Sequence, residues 1–112
     1  MGDVDGAIAD YTRAIELDPR ELEARVNRGN LRAERKEYDL AIADYSNAIA
    51  ANPKFPMAYY NRANAHFIMG SYDRAIDDYA EALKVATPAW SLRENAQRRL
   101  EEAKKRRAKS ER

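Results

Sequence analysis

The sequence repeats itself at a fixed interval of 34 residues. The phrase AIADY occurs at residues 7–11 and again at 41–45, and a near copy, AIDDY, occupies 75–79. When residues 22–55 are placed over 56–89, eleven of the 34 positions are identical without a gap. A fixed period of this length is typical of chains that stack copies of one small unit, each copy packing on its neighbours. This recurrence predicts a repeat architecture.

Within each copy the apolar residues follow the period of an α-helix. In the second copy six of them recur every three or four residues, on one stripe: Tyr38, Ala41, Ile42, Tyr45, Ala48 and Ile49. Prolines 19, 53 and 88 fall after a stripe, because proline cannot continue a helix. The pattern predicts six helices, at 3–17, 22–35, 38–51, 56–69, 72–86 and 89–107.

The period and its small and aromatic positions resemble the tetratricopeptide repeat family. The residues that carry the resemblance are Gly29, Tyr38, Ala41, Tyr45, Ala48 and Pro53 in one copy, and Tyr59, Ala63, Gly70, Tyr72, Ala75, Tyr79 and Ala82 in the next. The resemblance implies an all-α solenoid of helix-turn-helix units, forming a single domain over residues 1–107. Its predicted parts are a half repeat at 3–21, full repeats at 22–55 and 56–88, a capping helix at 89–107 and a basic tail at 108–112. Lys36 departs from the family pattern, which usually has a turn glycine there.

Composition disfavours catalytic and metal chemistry. The chain has no cysteine and one histidine, and it lacks a Gly-rich phosphate loop and the HExxH and GxSxG motifs. We therefore expect no enzyme activity, no cofactor and no metal. His66 is expected to be a packed core residue rather than a base, and the recurring pairs Asp39/Asp44 and Asp73/Asp78 to serve solubility and local bonding. No signal peptide or membrane span is recognisable, so a cytoplasmic location is expected.

In this family the first helix of each pair lines the inner wall of the solenoid, which implies a peptide-binding groove. The residues expected there are Asn27, Asn30, Met57, Tyr60, Asn61, Asn64, Phe67, Ile68 and Asn95. Their asparagines recur from copy to copy, and an amide offers both a donor and an acceptor to a peptide backbone. Alternatively, the asparagines bond neighbouring helices or water, and the capping helix folds over the apolar members of the set.

The resemblance also indicates which ligand the groove does not suit. Chaperone-binding members of the family hold a C-terminal carboxylate with two asparagines and several cations. Asn30 and Asn61 match those asparagines, but Val26, Ser91 and Asn95 stand where the cations would be. Without cations a carboxylate loses its charge-assisted hydrogen bonds. We therefore expect an amphipathic helix or an apolar peptide as the ligand.

Both ends of the chain leave a second and a third function open. The first copy contains only its second helix, so a second chain could cover that helix through an edge formed by Ile8, Tyr11, Ile15 and Trp90. The predicted function is thus a non-enzymatic protein–protein interaction module or scaffold, and the alternative is a self-assembling unit, either a dimer or a swapped array. Alternatively, the chain is a fragment of a longer array and this edge is frayed or loosely covered. Residues 93–112 carry nine Lys or Arg against four Asp or Glu, so contact with nucleic acid is a third, less favoured function.

Overall fold

A computed structural model describes residues 3–110 of the chain. These residues contain no strand and form six helices: α1 Asp3–Leu17, α2 Leu22–Glu34, α3 Tyr38–Ala51, α4 Pro56–Ile68, α5 Tyr72–Val85 and α6 Arg93–Ser110. The predicted all-α class is confirmed, and the first five helices begin at the predicted residues. They form two compact units, with unit 1 ending at Pro53 and unit 2 beginning at Lys54. No helix within residues 3–110 is both long and apolar enough to cross a lipid bilayer.

In unit 1, α2 packs against both α1 and α3. The buried residues of α2 and α3 are mostly small, apart from a tyrosine ring that is 2% exposed: Ala24, Val26, Gly29, Ala41, Tyr45 and Ala48. A Cβ atom at Gly29 would lie 2.7 Å from Cε1 of Tyr45, which is closer than carbon atoms approach in proteins. The glycine is therefore required by the packing of α2 on α3.

The turns inside the two helix pairs have the same geometry although their sequences differ. Lys36 has a φ of +63° and Gly70, its counterpart in unit 2, has a φ of +81°. In both turns the next residue closes the helix end: the amide of Glu37 donates to the carbonyl of Arg32 at 2.8 Å, and that of Ser71 donates to His66 at 2.8 Å. The left-handed conformation costs a lysine about 1 kcal/mol, a cost that glycine avoids.

Unit 2 is built around aromatic rings. The ring of Tyr60 on α4 meets the edges of two others, Tyr79 on α5 at 5.9 Å and Trp90 at 5.8 Å between centroids. Helix α5 packs against both α4 and α6, and α6 contributes the fully buried Ala96 and Ala103 to this core. Edge-to-face ring pairs of this kind add about 0.5–1.5 kcal/mol each beyond the area that they bury.

The last helix differs from its prediction at both ends. Residues 87–92 form turns instead of helix, with the amide of Trp90 donating to Thr87 at 3.1 Å, so α6 begins at Arg93 and not at residue 89. The Nη2 of Arg93 donates to the carbonyls of Leu83 at 3.2 Å and Ala86 at 3.0 Å, which have no helical partner at the end of α5. Helix α6 then continues through Ser110, so it includes the first three residues of the predicted basic tail at 108–112. Residues 111–112 of that tail lie outside the described part of the chain.

Candidate functional site

An ion pair between a half-buried arginine and a buried aspartate joins the two helices of each full repeat. In unit 1 the guanidinium of Arg28 donates to both oxygens of Asp44, from Nε at 2.9 Å and from Nη2 at 2.6 Å. In unit 2 Arg62 donates to Asp78 in the same way, at 2.7 and 2.8 Å. Bidentate pairs of this kind fix geometry as well as supplying energy. They hold the first helix of each repeat in register with the second.

The burial of these aspartates corrects the sequence analysis. They were expected to serve solubility and local bonding. Asp44 is 1% exposed and Asp78 is 6% exposed, so the solubility part of that expectation is wrong for both, whereas both do bond to an arginine of the preceding helix. The opposite face keeps the expected character, since Asp39 and Asp73 are exposed in the first turn of their helices. A signal was present in the sequence, because the arginine and the aspartate both recur after 34 residues and always stand 16 apart.

The second partner of each aspartate differs between the two units. In unit 1 Arg32 also donates to Asp44, at 3.0 Å, and in unit 2 the equivalent position is His66, whose Nε2 lies 3.9 Å from an oxygen of Asp78. His66 is buried, which confirms its prediction as a packed residue. Burial, more than the charges of Arg62 and Arg74, lowers its pKa, although Asp78 acts in the opposite direction.

Two of the predicted groove asparagines bond inside their own repeats. The hydroxyl of Tyr45 donates to Oδ1 of Asn30 at 2.6 Å, and the hydroxyl of Tyr79 donates to Oδ1 of Asn64. Burial raises the pKa of Tyr79 to about 12. The pKa of Tyr45 is also raised, mainly by burial and to a smaller extent by the negative charge of Asp44. Both hydroxyls therefore stay protonated at neutral pH. The carbonyl oxygen of each of these amides therefore already accepts a hydrogen bond from within its own repeat.

The other predicted asparagines have different surroundings. Asn27 on α2 is exposed and Asn95 on α6 is half-buried. Asn61 on α4 is half-buried, and its Nδ2 is enclosed without a hydrogen-bond acceptor among the described residues. An enclosed donor without an acceptor costs about 1–3 kcal/mol.

The apolar groove residues predicted on α4, which we call the α4 stripe, are Met57, Tyr60, Phe67 and Ile68, and they become more exposed towards the C-terminal end of the helix. Near the start, Met57 is half-buried and Tyr60 is buried against Trp90 and Tyr79, so Tyr60 does not present a free wall to a ligand. At the end, Phe67 is half-buried and Ile68 is 61% exposed. The stripe therefore offers a binding surface only over its last turn.

Two residues that the sequence analysis missed complete that surface. Met69, which follows α4, is 47% exposed, and the guanidinium of Arg106 on α6 lies 5.2 Å from the centre of the Phe67 ring. Arg106 also donates to Glu102 at 3.0 Å. We call Phe67, Ile68, Met69 and Arg106 the α4 end surface. Arg106 reaches Phe67 because α6 extends past its last buried residue, Ala103. The local sequence of α4 holds no information about this distant helix.

The residues of the predicted self-association edge are not equally open. Ile15 is buried in unit 1, while Ile8 and Tyr11 on the same helix are half-buried. Trp90 belongs to unit 2 and is half-buried against Tyr60. Of this edge on α1, Ile8 and Tyr11 therefore keep solvent-exposed surface that a partner could contact.

Within residues 3–110 no cluster of three His, Asp or Glu side chains is arranged to hold a metal ion. The titratable groups with shifted pKa values are explained by burial and by their ion pairs.

Three family models match the chain. Two are described as tetratricopeptide repeats and match residues 1–46 and 56–86, and one is described as a TPR repeat and matches residues 29–70. Together they span residues 1–86. The chain belongs to the tetratricopeptide repeat family.

Solved structures share the fold over nearly the whole chain. The first TPR of Spaghetti (RPAP3) bound to the HSP90 peptide SRMEEVD is 26% identical with a TM-score of 0.85, over 96% of this chain and 82% of that one. The first TPR domain of human RPAP3 is 26% identical with a TM-score of 0.87, over 98% and 84%. PcrH in complex with the chaperone binding region of PopD is 24% identical with a TM-score of 0.88, over 95% and 82%. No curated protein sequence gives a significant match. These likenesses confirm the tetratricopeptide-type solenoid fold.

Proposed function

We propose that this tetratricopeptide repeat chain is a non-enzymatic protein-interaction module that binds an amphipathic helix or an apolar peptide through the α4 end surface. The observation that carries the proposal is the exposure of Ile68 and Met69, at 61% and 47%, beside a half-buried phenylalanine. Neighbouring large apolar side chains that remain in water favour a partner that covers them. Two of the similar solved structures contain a bound partner segment, which supports a peptide as the ligand class.

The chemistry of the α4 end surface sets what the ligand must contain. Apolar side chains are needed against Ile68 and Met69, since burying an aliphatic side chain completely is worth about 1.5–3 kcal/mol. Arg106 is exposed above the ring of Phe67, where a ligand carboxylate could share it with Glu102. A peptide helix with an apolar face and an acidic flank meets both requirements.

A peptide that is recognised by its terminal carboxylate fits this chain less well. Val26, at one of the positions where the family places cations, is buried within unit 1. Asn30, one of the matching asparagines, already accepts a hydrogen bond from Tyr45. The peptide SRMEEVD, which the RPAP3 structure contains, is therefore an informative negative probe.

Fluorescence anisotropy with two labelled peptides tests the proposal. One probe is a helical 16-residue peptide with a leucine face and two glutamates on one flank, and the other is SRMEEVD. We expect the helical probe to bind at least tenfold more tightly. Ile68→Ser should weaken it about tenfold, because partial loss of a buried aliphatic group is worth about 1.4 kcal/mol. Leu40→Ser is the matched control, since Leu40 is similarly exposed but belongs to unit 1.

Two outcomes would contradict the proposal. One is tighter binding of SRMEEVD that disappears when its C-terminus is amidated, which would indicate recognition of the carboxylate. The other is binding of the helical probe that Ile68→Ser leaves unchanged. Phe67→Ala is a poorer test, because the Phe67 ring packs against Tyr72 at 5.5 Å and beneath Arg106, and its loss would also destabilise unit 2.

A further inference from the structure

The phrase AIADY has a different environment in α1 from that of its two later copies. In α3 and α5 the repeated alanines, tyrosine and aspartate of this pattern are all buried: Ala41, Asp44, Tyr45 and Ala48, and Ala75, Asp78, Tyr79 and Ala82. Their equivalents in α1 are more open, with the aspartate exposed and the others half-buried: Ala7, Asp10, Tyr11 and Ala14. We call these four residues the α1 face. The same side chains that form a core in α3 and α5 thus remain accessible in α1.

A three-residue motif covers the equivalent face of α3 and of α5. The motif is Arg28–Gly29–Asn30 on α2 and Arg62–Ala63–Asn64 on α4. The arginine pairs in bidentate fashion with the aspartate, and the asparagine accepts from the tyrosine hydroxyl. The residue between them is small, because α2 approaches the tyrosine ring so closely that a Cβ at Gly29 would lie 2.7 Å from it.

We propose that the α1 face is a docking site for a helix of a partner protein that carries arginine, a glycine or alanine, and asparagine in consecutive positions. The arginine would pair with Asp10, the small residue would allow close approach to Tyr11, and the asparagine would accept its hydroxyl. Charge complementarity selects the arginine, since Asp10 presents an exposed carboxylate where Asp44 and Asp78 each hold a guanidinium. The contacts that cover α3 and α5 therefore indicate which side chains a partner of α1 needs.

A second copy of this chain cannot supply the motif without unfolding part of itself. The sequence contains it only on α2 and α4, where its arginines are bound to Asp44 and Asp78. The equivalent positions of α6, which are 34 residues further along, hold Ala96, Gln97 and Arg98, without the arginine or the small central residue. This favours a partner with its own motif over self-association. The site is also separate from the α4 end surface, so the two proposals can fail independently.

The test is isothermal titration calorimetry, in which the whole chain is titrated with a helix-stapled peptide that copies residues 54–71. We expect binding that Asp10→Asn weakens at least tenfold, because the arginine of the peptide would lose its charged hydrogen-bond partner. A peptide whose central alanine is replaced by leucine should bind at least tenfold more weakly. Asp77→Asn is the matched control, because this exposed aspartate of α5 is equivalent to Ala9 and not to a residue of the α1 face. Ile68→Ser in the chain separates the two proposed sites, since a loss of affinity for the peptide would place it on the α4 end surface and overturn this proposal.

A fusion protects the test against a peptide that is poorly folded on its own. A copy of residues 53–70 placed directly before Asp3 restores the 34-residue register in front of α1. We expect its urea midpoint to exceed that of the chain alone, and Asp10→Asn to remove most of the gain. Equal binding of the leucine peptide, or a fusion without a gain in midpoint, would overturn the proposal. So would a dimer that forms without peptide and that Asp10→Asn or Tyr11→Ala dissociates, since the occupant would then be a second copy.

Discussion

The sharpest prediction compares two aspartates that occupy the same place in the same five-residue phrase. Asp44 and Asp10 are both the fourth residue of AIADY, yet Asp44 is 1% exposed and Asp10 is exposed. Replacing each by alanine therefore changes the same residue in the same sequence context, and only the environment differs. We expect Asp44→Ala to destabilise unit 1 severely and Asp10→Ala to have almost no effect.

The magnitude follows from the groups that Asp44→Ala leaves behind. Arg28 and Arg32 would each lose an ion pair at 2.6 and 3.0 Å, and their side chains are only 13% and 20% exposed. Removing one partner of a buried pair costs about 3–5 kcal/mol, and the partial exposure of both arginines places this case near 3 kcal/mol. That corresponds to a fall of about 12 °C in Tm for a chain of this size. An exposed substitution such as Asp10→Ala stays within about 0.5 kcal/mol.

Urea unfolding followed by far-UV circular dichroism at pH 7 measures both variants. A double-mutant cycle with Arg28→Ala separates the ion pair from other effects of the substitution, and we expect a coupling of about 1.5–3 kcal/mol. Equal losses for the two aspartates, or an Asp44→Ala loss below about 1 kcal/mol, would show that the pair positions the helices without stabilising them. The account of Asp44 as a residue that stabilises unit 1 through its ion pairs with Arg28 and Arg32 would then be wrong.

Three further predictions use the same assay or simple solution measurements. Gly29→Ala should lower the free energy of unfolding by about 1–3 kcal/mol, because the new Cβ would meet the Tyr45 ring. Gly6→Ala has open space around it and should raise the free energy of unfolding by about 0.5–1 kcal/mol through the better helix propensity of alanine. Equal effects of the two substitutions would contradict the packing of Gly29 on Tyr45. The lowered pKa of His66 means that the unfolded chain binds a proton before the folded one, so stability should fall as the pH drops below about 6.5. His66→Gln should flatten that part of the profile, and a histidine variant with an unchanged slope would refute the assignment. Light scattering over a concentration series should give a constant monomer mass, and a mass that doubles would favour the self-assembly alternative.

The sequence predicts the helices well because their cause is local. Apolar residues every three or four positions, closed by a proline or a turn, place the starts of α1 to α5 correctly. The start of α6 is missed because its signal is not local: the turns after Pro88 and the side chain of Arg93, which reaches back to the end of α5, replace a helical turn. The spacing of apolar residues holds no information about a side chain, such as that of Arg93, which bonds to the carbonyl groups at the end of another helix.

The candidate surface could be predicted only in outline, because exposure depends on neighbours that are distant in sequence. Tyr60 and Ile68 belong to one stripe of α4, but Trp90 covers the first and nothing in the described residues covers the second to the same degree. The asparagines lie on α2, α4 and α6, as their recurrence in the sequence indicates. The hydrogen bond from the Tyr45 hydroxyl to Asn30 could not be predicted in the same way, because it depends on how α2 packs against α3. Recurrence identifies equivalent positions, and the structure then shows that equivalent residues differ in environment.

The single tryptophan of the chain has a spectroscopic consequence. Trp90 lies in unit 2 with its ring against Tyr60, so its emission reports on the folding of that unit alone, while far-UV ellipticity sums the helices of both units. Comparing the two signals along one urea titration therefore measures how cooperatively the repeats unfold, without any added label. Coincident transitions would mean that the units melt together. An ellipticity change that precedes the tryptophan signal would mean that unit 1 melts first, and the chain would then carry its own optical marker for the more stable half.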